Sequence, residues 1–374
     1  MALLGALALS ACGRLNPATA QGTQSPGTSP AATTSVTPSE PPLVSPSPSP
    51  FPSPSPIPSS NPGPTPVAAA FPACMLPYVK PGSMGFGGPP FVGGFVSGAQ
   101  GGWTADPAGQ VSQTGDLLTT AAKPTLTGSG FSSDDAASYN GAVKRWLPVR
   151  AAQVRPDGLA YAYGEPYKAS PGDALNNATR IHVVSLSDGT DHIIYSGSPR
   201  EVLAYEPEGI YVAAVRYYSG DSSASGMWRL DPSTGASTQL PNGAGFRLIN
   251  GGIAWTDYWV IMPTHLDRID ISTGIAQRWV DTQGEGWIWF VGLDSSGNPL
   301  VDVSQGTNSN WRLFVYTAPQ TKTLIAGVSL HQLGSTDSHG TWLAGDDGIY
   351  LLVPGPILEK VSTVTGGNVV GGCS

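Results

Sequence analysis

Short runs of alternating apolar and polar residues, separated by tight turns, recur along most of the chain after residue 150. The clearest set begins at Arg155, where Pro156-Asp157-Gly158 forms a turn signal before Leu-Ala-Tyr-Ala-Tyr. A second run starts at Ile181, and Ser187-Asp188-Gly189 separates it from a third. Glycine supplies the positive φ that such turns need, so these runs predict β-hairpins. No window shows a sustained 3.6-residue period with caps, so we expect almost no helix.

The hairpin pattern recurs in degraded copies at a regular spacing. Each copy has an alternating strand followed by a turn, and the turns end near positions 189, 235, 274, 320 and 355. Successive turns lie about 35 to 46 residues apart, near the ~40–45 residues of a four-stranded propeller blade. The sequence therefore predicts five blades between residues 150 and 363.

A sixth blade is predicted from the two ends of this region. Strand-like pieces at 90–96, 102–105 and 144–149 supply about three strands, and 368–373 can supply the fourth. Such closure removes the open sheet edges at which strands aggregate. We therefore predict an all-β fold, a single propeller of six four-stranded blades closed by pairing of N- and C-terminal strands. Seven blades are the alternative.

The stretch Arg155-Pro-Asp-Gly158-Leu-Ala-Tyr resembles the Ser-Pro-Asp-Gly blade motif of TolB-type, WD-like β-propellers, with Arg in place of Ser and a shorter spacing to the strand. The turns at Gly235 and Gly274 resemble the Asp-x-x-Thr-Gly turn of the same family. No Trp-Asp dipeptide occurs, so this is not a strict WD-repeat protein. The resemblance spans residues 145–363 and implies the architecture alone, without catalytic residues.

The first residues resemble the signal peptide and lipobox of bacterial lipoproteins. An apolar run over 2–11 ends in Leu9-Ser10-Ala11-Cys12, where a signal peptidase would cut and the Cys12 thiol would carry a diacylglycerol. The run lacks the usual preceding Lys or Arg, which leaves the translation start open, and an ordinary secretory signal is the alternative. No other segment reaches 18 consecutive apolar residues, so we expect membrane contact only through the lipid.

Residues 12–70 are dominated by Pro, Ser, Thr and Ala. So little apolar surface cannot offset the chain entropy lost on folding, so a disordered tether is expected. Proline favours polyproline II at ~3.1 Å per residue, which gives a reach on the order of 150 Å. The predicted organisation is a signal peptide at 1–11, a lipidated tether at 12–70 and the propeller at 71–374.

Two cysteines, Cys74 and Cys373, remain after lipidation of Cys12 and lie at the two ends of the predicted propeller. Exported chains are oxidised, so this pair predicts a disulfide. Two free buried thiols are the alternative.

The net charge of −8 disfavours nucleic acid or an anionic membrane surface as the main partner. It permits cationic partners, metals and neutral sugars without selecting among them. The sequence contains no Gly-x-Ser-x-Gly, His-Glu-x-x-His, Cys-x-x-Cys or P-loop motif. We therefore predict no cofactor and no metal, and we expect a monomer.

Carboxylates and aromatic residues are the remaining candidates for chemistry. Glycoside hydrolysis needs two carboxyl groups at a set separation, although Asp in turns commonly accepts local backbone N–H groups instead. The turn around Asp337 and His339 resembles the Asp-box of sialidase-type propellers with its Gly one position late, and such a box is structural. The candidate carboxylates are Asp134, Asp135, Asp294, Asp337, Asp346 and Asp347.

The aromatic cluster Trp255, Tyr258, Trp259, Trp287 and Trp289 has two interpretations. Exposed rings would form a sugar-stacking platform, whereas buried rings would fill the wedge between blades. Trp287 and Trp289 alternate with apolar Ile288 and Phe290, which is typical of a strand packed on both sides. We therefore favour core packing.

We expect a lipid-anchored, extracytoplasmic propeller that binds a protein or glycan partner at the axial mouth or through the loops at 105–141 and 164–179. A carbohydrate-active enzyme with carboxylates in the axial pocket and a structural envelope component are the alternatives. The candidate ligand-facing residues are Asp134, Asp135, Trp255, Trp259, Asp337, His339 and Asp346.

Overall fold

The computed structural model describes residues 64–81, 91–111, 137–170, 178–214, 226–241, 246–257, 263–284, 286–304, 311–330 and 334–374. The described chain is almost wholly β, with a single turn of 3-10 helix at Ala151–Gln153. It contains no helix with the length and hydropathy needed to traverse a bilayer. Cys12, the tether up to residue 63, Asp134, Asp135 and Trp259 lie outside the described residues.

The strands are numbered in chain order. The first thirteen are β1 (Val67–Ala68), β2 (Leu76–Pro81), β3 (Phe91–Ser97), β4 (Gly102–Val111), β5 (Ser138–Asn140), β6 (Arg145–Leu147), β7 (Ala160–Tyr167), β8 (Ala178–Ser185), β9 (Asp191–Gly197), β10 (Arg200–Glu206), β11 (Gly209–Ala214), β12 (Met227–Leu230) and β13 (Ser237–Gln239). The others are β14 (Leu248–Asn250), β15 (Ile253–Thr256), β16 (His265–Asp270), β17 (Ala276–Asp281), β18 (Ile288–Leu293), β19 (Pro299–Ser304), β20 (Trp311–Ala318), β21 (Thr321–Ala326), β22 (Ser335–Asp337), β23 (Gly340–Gly345), β24 (Gly348–Val353), β25 (Ile357–Ser362) and β26 (Asn368–Val369).

These strands form the six blades of a β-propeller, as predicted. Blades 3, 4, 5 and 6 are β10–β13, β14–β17, β18–β21 and β22–β25. Blade 2 is β7–β9, and an antiparallel bridge from Val154 to Tyr161 occupies its first-strand position. The fourth strands of blades 2 to 5 begin with exposed residues, so the chain runs outward in these blades and the first strand lies innermost.

Blade 1 closes the ring with strands from both ends of the domain, in the order β26-β2-β3-β4. The C-terminal strand β26 is innermost and pairs with β2 through Val369 opposite Tyr78. At the other end of the chain β1 adds a fifth strand to blade 6, parallel to β25. The predicted closure by the chain ends is confirmed.

One part of the blade 1 prediction is wrong. The piece at 144–149 is not a blade strand, because β6 pairs only with β5 in a separate hairpin. The missing strand is β2, whose prolines Pro77 and Pro81 hide its strand character. The hairpin packs Tyr139 and Trp146 against Phe95 of blade 1.

The turns used to align the repeats have a shared physical cause. In blade 3 the Asp231 Oδ1 atom accepts the backbone N–H groups of Ser233 and Thr234, and Gly235 has a φ of 71°. Asp270 and Gly274 repeat this arrangement in blade 4, again with a φ of 71° at the glycine. Hydrogen bonds from Ser233 and its neighbours lower the pKa of Asp231 to about 2, so this carboxylate stays ionised as a turn acceptor.

The predicted disulfide is present and fastens the closure. Cys74 precedes β2 and Cys373 follows β26, with Cα atoms 5.7 Å apart across a sequence separation of 299. Beside it, Met75 and Ser374 exchange two backbone hydrogen bonds of 2.9 and 3.1 Å. The two ends of the domain are thus joined covalently and by backbone pairing.

Removal of the disulfide is expected to lower stability without changing the fold. A Cys74→Ser/Cys373→Ser variant should lose about 2–5 kcal/mol of unfolding free energy, because the cross-link no longer restricts the unfolded chain. Urea unfolding with and without reductant measures this. Reductant should lower the wild-type midpoint to that of the variant and leave the variant unchanged; a wild-type midpoint insensitive to full reduction would contradict it.

Candidate functional site

The two axial ends of the propeller differ in the length of their connections. One end joins first to second strands by turns such as 207–208, 251–252 and 338–339. At the other end, second strands finish and third strands begin, joined by the ranges 82–90, 168–177, 215–226, 257–264, 305–310 and 346–347. We call this second end the long-connection end. Recognition by propellers and other rigid scaffolds is carried mostly by such connections and the strand ends beneath them.

Blades 2 and 3 place an ion pair at the long-connection end of their innermost segments. Arg150 Nη1 lies 3.7 Å from Glu201 Oε1, and Gln153 Nε2 donates to the Val202 carbonyl at 3.0 Å. Burial raises the pKa of Glu201 to about 7, and the nearby Arg150 charge only partly offsets this. Glu201 is therefore a carboxyl group that titrates near neutral pH.

Blade 4 carries a second ion pair at the same end. Arg247 Nε lies 3.0 and 2.9 Å from the two carboxylate oxygens of Asp257. Asp257 is only 3% exposed, and the pair ties the start of the first strand to the end of the second. Its role is therefore to fix the strand ends.

Blade 5 buries a carboxyl group beneath this end. Asp302 in β19 is 0% exposed, and its Oδ2 atom accepts the Leu330 backbone N–H at 2.8 Å. Its Oδ1 atom is buried without a hydrogen-bond partner among the described residues. Burial raises the pKa of Asp302 to about 8; the Leu330 and Val303 N–H groups lower it and the Asp346 charge raises it further. Asp302 is therefore mostly protonated at neutral pH.

Two tryptophans are exposed beside Asp302, which corrects the core interpretation. Trp287 is 41% exposed and Trp289 is 43% exposed, whereas Ile288 and Phe290, which alternate with them, are buried against blade 4. Apolar residues on both sides of this strand predict two packed sides. The strand is the innermost of blade 5, however, so at its axial end one side lacks a covering sheet.

The other described candidates have structural contacts. Trp255 is 2% exposed and packs against Trp279 and Phe290, as the core interpretation predicts, which leaves no face of its ring for a ligand. Asp346 lies in the tight β23–β24 turn at the long-connection end, close enough to Asp302 to raise its pKa.

Asp337 and His339 lie in the β22–β23 turn, at the opposite end of the propeller. Asp337 Oδ2 accepts from Trp342 Nε1 at 2.8 Å and from the Cys373 N–H at 2.6 Å, while Oδ1 accepts the His339 N–H at 2.7 Å. These bonds are those of a structural turn that anchors the C-terminus.

The predicted recognition loops are narrower than the sequence suggests. Strand β4 continues to Val111 and β5 begins at Ser138, so only 112–136 of the first loop lies outside the described strands. Strand β7 extends to Tyr167 and β8 begins at Ala178. Their role in recognition stays a prediction.

Blade 2 holds a second polar group away from the axis. His182 Nδ1 lies 2.8 Å from Asp191 Oδ1, and its Nε2 lies 3.3 Å from Glu165 Oε2. The Tyr163 ring stacks on His182 at 4.5 Å, and its hydroxyl donates to Asp191 at 3.0 Å. Both imidazole nitrogens are used within the blade, so this cluster is structural. Across the described ranges, no three His, Cys, Asp or Glu side chains form a group suited to a metal.

Comparisons with known proteins give similarity of fold. No family model and no curated protein matches the sequence. Among solved structures, the chain is similar to TolB from Acinetobacter baumannii, with 13% identity over 76% of this chain and 62% of that chain and a TM-score of 0.43. It is also similar to a protein assigned as a 6-phosphogluconolactonase from Bacteroides uniformis, with 10% identity over 77% and 97% of the two chains and a TM-score of 0.44.

An oligogalacturonate lyase in complex with manganese shows 11% identity over 56% of this chain and 63% of that chain, with a TM-score of 0.36. This chain thus spans less than two thirds of the length of TolB and of the lyase. Neither a ligand nor an activity follows from likeness at this level.

Asp302 should make stability depend on pH. The folded protein keeps this carboxyl group protonated to about pH 8, whereas the ordinary pKa of an aspartate side chain is 3.8. The folded state then binds more protons than the unfolded state, so the unfolding free energy should fall as pH rises from about 4 to about 8. The Asp302→Asn variant should show a flatter dependence of the unfolding free energy on pH. At pH 8.5 its unfolding free energy should exceed that of wild type by on the order of 1 kcal/mol or more.

Urea unfolding at pH 5, 7 and 8.5 measures this effect. Asp188→Asn, at an exposed turn carboxylate, is the control and should keep the wild-type slope. An unchanged slope in Asp302→Asn would show that Asp302 is already ionised at pH 5.

Loss of the Asp337 side chain should lower stability more than loss of the nearby His339 side chain. Asp337→Ala leaves the Trp342 Nε1–H and Cys373 N–H donors without an acceptor, which should cost on the order of 1–3 kcal/mol. His339→Ala is the matched control, because the imidazole is more exposed than the carboxylate, at 38% against 14%. Thermal unfolding of the two variants compares them, and equal losses would argue against the anchoring role.

Proposed function

We propose that this protein is a lipid-anchored propeller of the bacterial cell envelope that binds a glycan or protein partner at its long-connection end. The lipobox ending in Cys12 and the Pro/Ser/Thr-rich tether support the anchored, extracytoplasmic location. The disulfide between Cys74 and Cys373 is consistent with an oxidising compartment.

The observation that carries the binding role is the exposure of Trp287 and Trp289 on the innermost strand of blade 5. Large aromatic side chains supply most of the binding energy of many interfaces, and exposing two of them without a partner is unfavourable. The opposite end, by contrast, is occupied by the disulfide and the Asp337 turn. The long-connection end is therefore the better supported binding surface.

A carbohydrate-active enzyme is the second candidate. A buried carboxyl group that stays protonated at neutral pH suits a general acid, and Asp302 has that property beside the exposed Trp289. Asp346 is the second carboxyl group within its electrostatic range. Release of reducing ends from cell-wall polysaccharide by wild type, abolished in Asp302→Asn, would establish this activity.

The binding role predicts retention on the envelope through the tryptophans. The full-length chain should be retained on isolated cell-wall fragments, and Trp287→Ala/Trp289→Ala should weaken retention about tenfold or more, because the aromatic contact area is lost. Leu159→Ala is the control, since Leu159 is 48% exposed and follows the short turn at the opposite end. Protease or glycosidase treatment of the fragments distinguishes a protein partner from a glycan. Equal retention of the tryptophan variant would contradict the proposal.

A further inference from the structure

The exposed tryptophans share one side of blade 5 with its buried carboxyl group. Trp289 lies directly opposite Asp302, and Ser304 lies opposite Trp311. Trp287 and Ser304 are joined by two hydrogen bonds of 2.9 Å. The Trp287 backbone N–H donates to Ser304 Oγ, and the Ser304 backbone N–H donates to the Trp287 carbonyl. Residues directly opposite in an antiparallel sheet point to the same side. Three indoles, a hydroxyl and a carboxyl group therefore lie together at the long-connection end.

This side of the sheet faces blade 6, and Trp287 and Trp289 are exposed on it. Leu313, opposite Asp302, packs with Leu330 and with Leu343 of blade 6. Blade 6 has the tightest connection of all at this end, only residues 346–347 between β23 and β24. Blade 6 therefore approaches the exposed tryptophans only through a short turn. This turn contains the carboxylate Asp346.

The surroundings of Asp302 disfavour its ionised form. Its buried Oδ1 atom has no hydrogen-bond partner in the part of the chain that the structure describes, and the Asp346 charge raises its pKa. Lys360 of blade 6 is engaged elsewhere, with its Nζ atom 2.6 Å from Asp347 Oδ2, and the Tyr350 hydroxyl also donates to Asp347. Arg312 is next to Trp311 but alternates to the other side of the sheet, opposite Val303.

We propose that Trp287, Trp289 and Asp302 form a binding site for an ammonium group, carried by an amino sugar, a lysine side chain or a quaternary amine. Indole faces attract cations through their π electrons, and this attraction strengthens where water is excluded. The carboxyl group of Asp302, directly opposite Trp289, completes the recognition by charge once it has released its proton. The inference rests on the proposed function, whose partner it narrows to one that carries such a cation.

Proton release should accompany binding. A cation beside Asp302 favours its ionised form, so the bound ammonium replaces a proton that leaves the carboxyl group for solvent. Among the described residues of blade 6, Asp346 is the charged group that acts on Asp302. Affinity for a cation of fixed charge should therefore rise with pH up to about 8.

Calorimetric titration of the full-length chain tests the site with small probes. Tetramethylammonium keeps its charge at every pH, and glucosamine and glucose differ in the ammonium group. We expect glucosamine at pH 7 to bind at least about tenfold more tightly than glucose, and tetramethylammonium to gain about tenfold or more between pH 6 and pH 8. Lysine amide, compared with tetramethylammonium and glucosamine, indicates which carrier fits best.

Variants separate the contributions of the rings and the carboxyl group. Trp289→Leu should weaken cation binding about tenfold or more, with the milder Trp287→Phe retaining most of it. Asp302→Asn should weaken binding at pH 8 and remove its pH dependence, while Asp188→Asn at a remote turn should match wild type.

Three results would overturn the inference: equal binding of glucose and glucosamine, a wild-type pH profile in Asp302→Asn, or no binding of any cation at millimolar concentration. Should the cations fail while the tryptophan variant still loses retention on cell-wall fragments, the proposed function stands and the ammonium site is refuted.

Discussion

The pairing of the C-terminal strand β26 with β2 is the interaction on which the rest of the structure depends. Without it blade 1 has no innermost strand, and the apolar cluster between blades 6 and 1, which includes Leu76, Trp342 and Val369, loses part of its cover. The Cys74–Cys373 disulfide and the Asp337 bond to the Cys373 N–H hold this pairing from outside the strand. Closure thus rests on a short strand that is fixed at its end.

The two ends of the propeller differ in the kind of contacts that they contain. The short-turn end contains the disulfide and a carboxylate whose oxygens are all used within the fold. The long-connection end contains ion pairs, two carboxyl groups that burial shifts toward neutral pH, and exposed indoles. Buried ionisable groups cost stability, and their concentration at one end is the reason to look for function there.

Much of the fold could be predicted from sequence because it follows from local rules. The Asp231–Gly235 turn recurs wherever its residues recur, and the alternation of each third strand set the blade count. The site was harder to predict, because exposure depends on which strand lies innermost. Trp287 and Trp289 look like core residues in sequence and are exposed by their position. Asp302 had a usable signal, a lone carboxyl group in the apolar run Leu300-Val-Asp-Val, but its partners come from residues 330 and 346.

Closure across a sequence separation of 299 residues also sets an order for biogenesis. Blade 1 cannot be completed until β26 has been synthesised, so β2 remains an open edge while the other blades assemble. Contacts between such distant positions form slowly, and open edges invite pairing with other chains during that interval. A chain of this design therefore remains exposed to misassembly until β26 pairs with β2.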